Sequence, residues 1–160
     1  MIDVSQLQQF ARSIDAAVAD LPQYTQRFLE DEGEEFLKLV QTAIEDAGNI
    51  DTGKLKGSFQ KGGAGNIWIL DAGGLTLTIG TNVEYAAWVN DGHRQKPGRF
   101  VPGYWEGSHF RYMPGAKTGM VLKASFVQGS NYFDKAVQAI ERMFPEDAQR
   151  SFKQFFDRYF

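Results

Sequence analysis

The feature that most constrains this chain is a change of period. Up to Ala47 the apolar residues recur at helical spacing, and from Leu75 they fall on every second position. The first stretch is therefore helix and the second is sheet. Ser5, with Gln8 three residues on, resembles a capping box. It opens a helix whose stripe is Leu7, Phe10, Ala11, Ile14, Val18 and Leu21. Pro22 suits the first turn of a second helix, where its missing N–H costs nothing. That helix is expected to reach about Ala47, roughly 38 Å at 1.5 Å per residue. Tyr24, Phe28, Phe36, Val40, Ala43, Ile44 and Ala47 line one face; Glu30, Asp31, Glu34, Glu35 and Glu45 line the other. Gly33 marks a bend and Gly48 a stop.

Beyond the helices, Asp51 or Thr52 is placed to cap a single helical turn. GGAGN is a turn and Asn66–Leu70 a strand, followed by a turn at DAGG. Leu75–Ile79 alternates apolar and polar residues, which predicts an antiparallel hairpin with one buried face. Asn82 caps a short helix, VEYAAWVN, that packs through Tyr85, Ala86 and Val89 and ends at Gly92. Residues 93–118 form an extended loop rich in Gly, Pro and aromatics, within which RFVPGYW and HFRYM make short strands around a tight turn. Gly119–Val127 is a further strand. Ser130 caps a helix carrying Phe133, Ala136, Val137, Ile140 and Met143, and Pro145 starts a last helix over residues 145–160. The order predicts a single α+β domain over residues 1–160. An antiparallel sheet of about four to five strands is packed by a long N-terminal helix, the short helix after the central hairpin and the C-terminal helices, with segment 1–21 peripheral.

Composition narrows the function classes. At 160 residues and 42% hydrophobic the chain can bury one core. No apolar run nears the ~20 residues of a membrane span, and MIDVSQLQQF has no basic segment leading into an apolar one, as a signal peptide requires. The absence of cysteine excludes disulfides, thiolate metal sites and cysteine nucleophiles. It is in keeping with an intracellular protein. A net charge of −3 argues against general nucleic-acid binding, but the charge is segregated. Residues 1–51 carry eleven acids and three bases, and residues 52–127 four acids and nine bases. That asymmetry fits either a solvated acidic helix beside a basic sheet, or charge-complementary association between copies or with a partner.

No catalytic constellation emerges. His93 and His109 share a loop without metal-ligand spacing, and Asp91 and Glu106 are the only carboxylates near them in sequence. PGAKTG lacks the first glycine of a phosphate loop and leads into a strand. GGAGN lacks the strand-then-helix setting of a dinucleotide fingerprint. The acids of EDEGEE share a polar helix face, where solvation keeps them ordinary, rather than converging on one cleft. No G-x-S-x-G is present, and Ser58 and Ser108 have no triad context. The chain is thus expected to be no enzyme and to need no cofactor or metal. What remains is the loop, with Arg94, Lys96, Arg99, Arg111 and Lys117 among Phe100, Tyr104, Trp105, Phe110 and Tyr112. This mixture serves either a protein interface or single-stranded nucleic acid. The protein interface is the leading expectation and a nucleic-acid-binding module the alternative.

DTGKLKGSF, then TIGTNVEYAAWVNDG, then FVQGSNYFDKAV resembles the small tail components of long-tailed bacteriophages and prophages, the head–tail joining or tail-completion proteins. The positions that carry the resemblance are Asp51, Thr52, Gly53, Leu55 and Ser58; Gly80, Thr81, Tyr85, Ala86 and Gly92; and Asn131, Tyr132 and Phe133. It covers roughly Pro22 to Met143. Asn90-Asp91-Gly92 stands where many relatives place a glutamate before the glycine. The resemblance implies a structural, non-enzymatic role in virion assembly at the neck between portal and tail tube. Its partners would be its own copies in a ring and the neighbouring neck and tail proteins. Any DNA contact would be indirect, in the assembled channel, and there would be no membrane. The protein would reside in the virion, and in the host cytoplasm before assembly.

Overall fold

The structure, a computed structural model, describes residues 4–71, 73 and 75–160. Backbone contacts divide the chain into two compact units: residues up to Ala86 together with Tyr132–Phe160, and Ala87–Asn131. The first unit is built on α1 (Val4–Asp46) and α4 (Tyr132–Phe156), with α2 (Lys54–Gly57) and a hairpin of β1 (Asn66–Leu70) and β2 (Leu77–Thr81). The second holds most of α3 (Ala86–Asp91), then β3 (Gly92–Arg94), β4 (Phe100–Glu106), β5 (His109–Tyr112), β6 (Gly119–Val121) and β7 (Phe126–Gln128). The class is α+β, with the strands shared among three small antiparallel sheets in the orders β1-β2, β3-β7 and β5-β4-β6.

Two expected helix breaks are absent. α1 is one helix of 43 residues running through Pro22, already helical at Val4, so Ser5 lies within it rather than at its cap. A proline inside a helix removes one hydrogen bond and strains the preceding turn. Here α4 and the residues just after it hold both sides of the proline. Before it, Phe10 meets Phe160 at 5.5 Å and Asp20 accepts a hydrogen bond from the Tyr159 hydroxyl. After it, Tyr24 meets Phe155 at 4.7 Å and Phe28 meets Phe152 at 5.8 Å. The carbonyl left without its donor lies in an exposed stretch, residues 18–20, where water can serve it. Pro145 is likewise interior to the 25-residue α4, in an exposed segment.

Gly33 does not interrupt α1. It is buried, and a β-carbon there would stand 2.5 Å from a Leu77 methyl and 2.7 Å from the Trp68 ring. The glycine is a notch that seats the hairpin on the helix. Around it the core gathers Phe36, Leu37, Val40 and Ile44 of α1 with Leu55, Phe59, Val83, Tyr132 and Ala136, all buried. Phe36 meets Phe133 edge-on at 5.4 Å, and Phe59 lies 6.0 Å from both Tyr132 and Phe133.

Local polar groups move the other expected boundaries. The N-cap position of α2 is Gly53, with φ 76°, and Thr52, one residue earlier, accepts the Lys54 amide on its Oγ1 at 3.4 Å. β2 starts two residues later than the alternation suggests, because Asp71 Oδ1 accepts the Leu75 and Thr76 amides at 2.9 and 2.8 Å. Those amide donors hold the Asp71 carboxyl below its ordinary range, the Thr76 bond most of all. Segment 119–127 is two strands, because β6 pairs with β4 and β7 with β3. One chain of hydrogen bonds ties the motif segments together. The Val83 amide donates to Thr81 Oγ1 at 3.1 Å, Thr81 donates to Ser58 Oγ at 2.7 Å, and Ser58 donates to the Leu55 carbonyl at 2.7 Å.

Ser58→Ala leaves the half-buried Thr81 hydroxyl without its acceptor and a hole where Ser58 is fully buried, and is expected to cost about 1–3 kcal/mol in chemical denaturation. Glu32 carries a second prediction. Its Oε2 is buried without a hydrogen-bond partner among the described residues. Burial, then the Glu35 carboxylate, push its carboxyl above the ordinary glutamate range, against the pull of Arg150. A raised acid contributes stability below its unfolded pKa and loses it as pH rises through the raised value. Glu32→Gln is therefore expected to raise the melting temperature at neutral pH, and the difference should vanish as pH falls through the glutamate range.

Candidate functional site

The second unit carries the candidate surface. β4 is the middle strand of a ribbon, pairing Tyr104 with Arg111 and Trp105 with Phe110 on one side, and Phe100 with Val121 on the other. Successive strand residues point to opposite faces. One face therefore presents Phe100, Tyr104, Arg111 and Val121, and the other Trp105, Phe110 and Tyr112. Both faces are open: Phe100, Tyr104, Trp105, Tyr112 and Val121 are each 48–65% exposed. The rings also protect the ribbon's own backbone. Phe110 lies over Gly103 and Phe100 over Gly119, so a β-carbon at either glycine would come within 2.7 or 2.6 Å of ring carbons. Glycine lets aromatic rings lie flat on a thin sheet.

Beside the ribbon's start, still within this unit, is a groove of about 520 Å³. Its walls are Trp88 and Leu122, and its polar lining is His93, Arg94, Gln95, Lys96 and Arg99. Trp88 stacks against His93 with ring centres 5.8 Å apart. Gln95 Oε1 accepts from the Ser125 hydroxyl at 2.9 Å, which holds the segment to the residue just before β7. Arg94, Lys96 and Arg99 are exposed, and among the described residues none has a carboxylate partner. Arg111 differs, since Glu106 pairs with it at 2.9 Å. Lys117 lies exposed after β5. The unit's fold depends on a close backbone crossing in which Gly92, at φ 83°, and Gly129 leave no room for a side chain.

Nine of the ten expected interface residues therefore separate into two groups, with Lys117 in the loop between β5 and β6 belonging to neither. Arg94, Lys96 and Arg99 belong to the groove; Phe100, Tyr104, Trp105, Phe110, Arg111 and Tyr112 belong to the ribbon. Trp88 was not among the expected site residues. Its signal was its place on α3, off the stripe of Tyr85, Ala86 and Val89. The motif residues serve architecture. Leu55 and Ser58 are buried, Thr81 bonds Ser58, and the Ala86 carbonyl accepts from the Tyr132 hydroxyl at 3.3 Å. Among the described residues no group of three or more His, Cys, Asp or Glu side chains gathers as a metal site. His109 is the first residue of β5, next to the ribbon turn, its Nδ1 3.2 Å from the Ser108 hydroxyl. A larger open groove in the first unit, about 640 Å³, is lined by Lys38, Lys56 and Lys61. Those lysines are already matched, by Glu35, Glu45 and Glu34 respectively. No described helix is long and apolar enough to cross a membrane.

Among the described residues the second unit leaves open an aromatic ribbon and a groove whose cations have no carboxylate partner. The chain belongs to the family described as "Bacteriophage HK97-gp10, putative tail-component", which matches residues 8–92. It is thus a structural protein of the phage tail-component class. It is 39% identical over 142 residues to the "Phage-like element PBSX protein XkdI" of Bacillus subtilis (strain 168), covering 88% of each chain. It is also 39% identical over 156 residues to protein YqbI of the same strain, covering 92% of this chain and 93% of that one. No solved structure matches it.

If the groove cations contribute nothing to folding, exchanging each of Arg94, Lys96 and Arg99 for Gln should change unfolding free energy by less than about 0.5 kcal/mol. Denaturant titration of the three variants measures this.

Proposed function

We propose that this protein is a tail-completion component acting at the head–tail neck, in a ring with its own copies. The ribbon and cationic groove are the surface that meets a neighbouring neck or tail protein. The observation that carries this reading is the pair of open aromatic faces on the ribbon. Exposed tyrosine and tryptophan beside arginine is the composition of interface anchors, which gain most when an opposing surface excludes water. Ring contacts are heterologous, joining one patch to a different patch of the next copy. Glu34, Glu35 and Glu45 of α1 are paired with lysines, so the acids of that face left for such a contact are Glu30 and Asp31, opposite in sign to the cations of the second unit. Family membership supports the virion as its place of work.

The experiment is particle assembly with Arg94, Lys96 and Arg99 changed to Glu, in a phage or induced prophage whose own copy is deleted. Electron microscopy is expected to show tail-less heads or unjoined tails, while the purified variant keeps its helical content. Infectious particles in normal yield would overturn the reading. Salt-sensitive binding of the wild-type protein to single-stranded DNA, lost in the variant, would favour the nucleic-acid alternative instead.

A further inference from the structure

The N-terminal arm of α1 carries a feature that the fold does not use. Val4, Leu7, Ala11, Ile14, Val18 and Leu21 are spaced alternately three and four residues apart, without a fault, over residues 4–21. That is a repeat of 3.5, the seam of a coiled coil, with Val, Ala and Val at one core position and Leu, Ile and Leu at the other. In a helix that served only its own fold, such a stripe would be covered. Here Val4 and Leu7 are each 62% exposed, Ile14 40% and Val18 66%. Contact with α4 and the residues after it falls on a neighbouring side of the helix, through Phe10 against Phe160, buried Ala17, and Asp20 bonded to Tyr159.

We infer that this seam joins two copies of the chain, arm against arm, as a short coiled coil. The spacing is what selects a like helix. Knobs placed every 3.5 residues fit holes of the same spacing, and an unrelated surface would not require it. The flanking positions agree. Gln8, Phe10, Asp15 and Ala17 carry one charge between them, so two copies bring together no row of like charge. The acids of α1 begin in force only at Glu30. About two and a half heptads are few for isolated peptides, because a free chain must first nucleate its helix. In this protein α1 is already formed and held from beyond Pro22, so that cost is met by the fold. Valine at one core position and leucine at the other favour two strands. The contact is isologous and closes at two copies. It is therefore distinct from the heterologous ring contacts and uses none of the ribbon or groove residues. The two readings stand or fall separately.

The test is the solution mass of the purified full chain by sedimentation equilibrium, compared with the double variant Leu7→Glu/Val18→Glu. Wild-type protein is expected to be dimeric and the variant to associate at least ~100-fold more weakly, with far-UV circular dichroism unchanged. Gln9→Glu, on the outer side of the arm, is expected to dimerise as wild type does. A cysteine-free chain allows a second measurement. Leu7→Cys, oxidised alone or mixed with Val18→Cys, should give a disulfide-linked pair, the first in a parallel and the second in an antiparallel seam. Wild-type protein that stays monomeric at about 100 μM, with no cross-link in either mixture, would overturn the inference and leave the seam to a foreign partner. Equal dimerisation of the Leu7→Glu/Val18→Glu variant would overturn it too.

Discussion

The contact on which most of the first unit depends is aromatic: the rings of the C-terminal segment laid along α1. Tyr24 and Phe28 receive Phe152 and Phe155, and Phe36 receives Phe133, so the two long helices are joined from one end of α4 to the other. Tilted ring pairs of this kind add to the area they bury. With that contact in place, α1 can carry a proline in its interior. It can also project an arm whose apolar stripe lies open, and hold a hairpin at a glycine. Remove it, and the stretch of α1 from Phe10 to Phe28 would lose the packing that covers it, and helix propensity alone rarely suffices in water.

The fold was readable where periodicity speaks and unreadable where tertiary contacts override it. The α+β class, strand 66–70 and the turn between Trp105 and Phe110 followed from pattern and turn residues. The breaks at Pro22 and Pro145 did not occur, because proline's local cost is real but α1 and α4 brace each other around Pro22. Nor could the pattern show that 119–127 serves two different sheets, since the same alternation suits one strand or two. The Asp71 carboxylate took two amides that a strand at Leu75 would have used. Side-chain competition of this sort hides inside an otherwise regular alternation.

The candidate surface was legible in composition but not in arrangement. Basic and aromatic residues between Arg94 and Lys117 mark the segment from which the proposed surface is built. Their sorting into an open ribbon and a groove follows from strand register, which flips every side chain with a slip of one residue. Arg111 looked equivalent to Arg94 in the sequence, yet Glu106 neutralises only the former. Trp88 lies off the packing stripe of its helix, so the pattern of that helix gives it no role.

The notch at Gly33 has a consequence for how the molecule is measured out along its length. α1 has one glycine only, and its neighbours one turn away on either side are Leu29 and Leu37. Sliding the hairpin along the helix by one turn, roughly 5.4 Å, would drive Trp68 and Leu77 into a leucine. The glycine thus acts as a keyway that fixes the axial position of hairpin on helix. The arm's reach beyond that point is set by counting residues back from a single position.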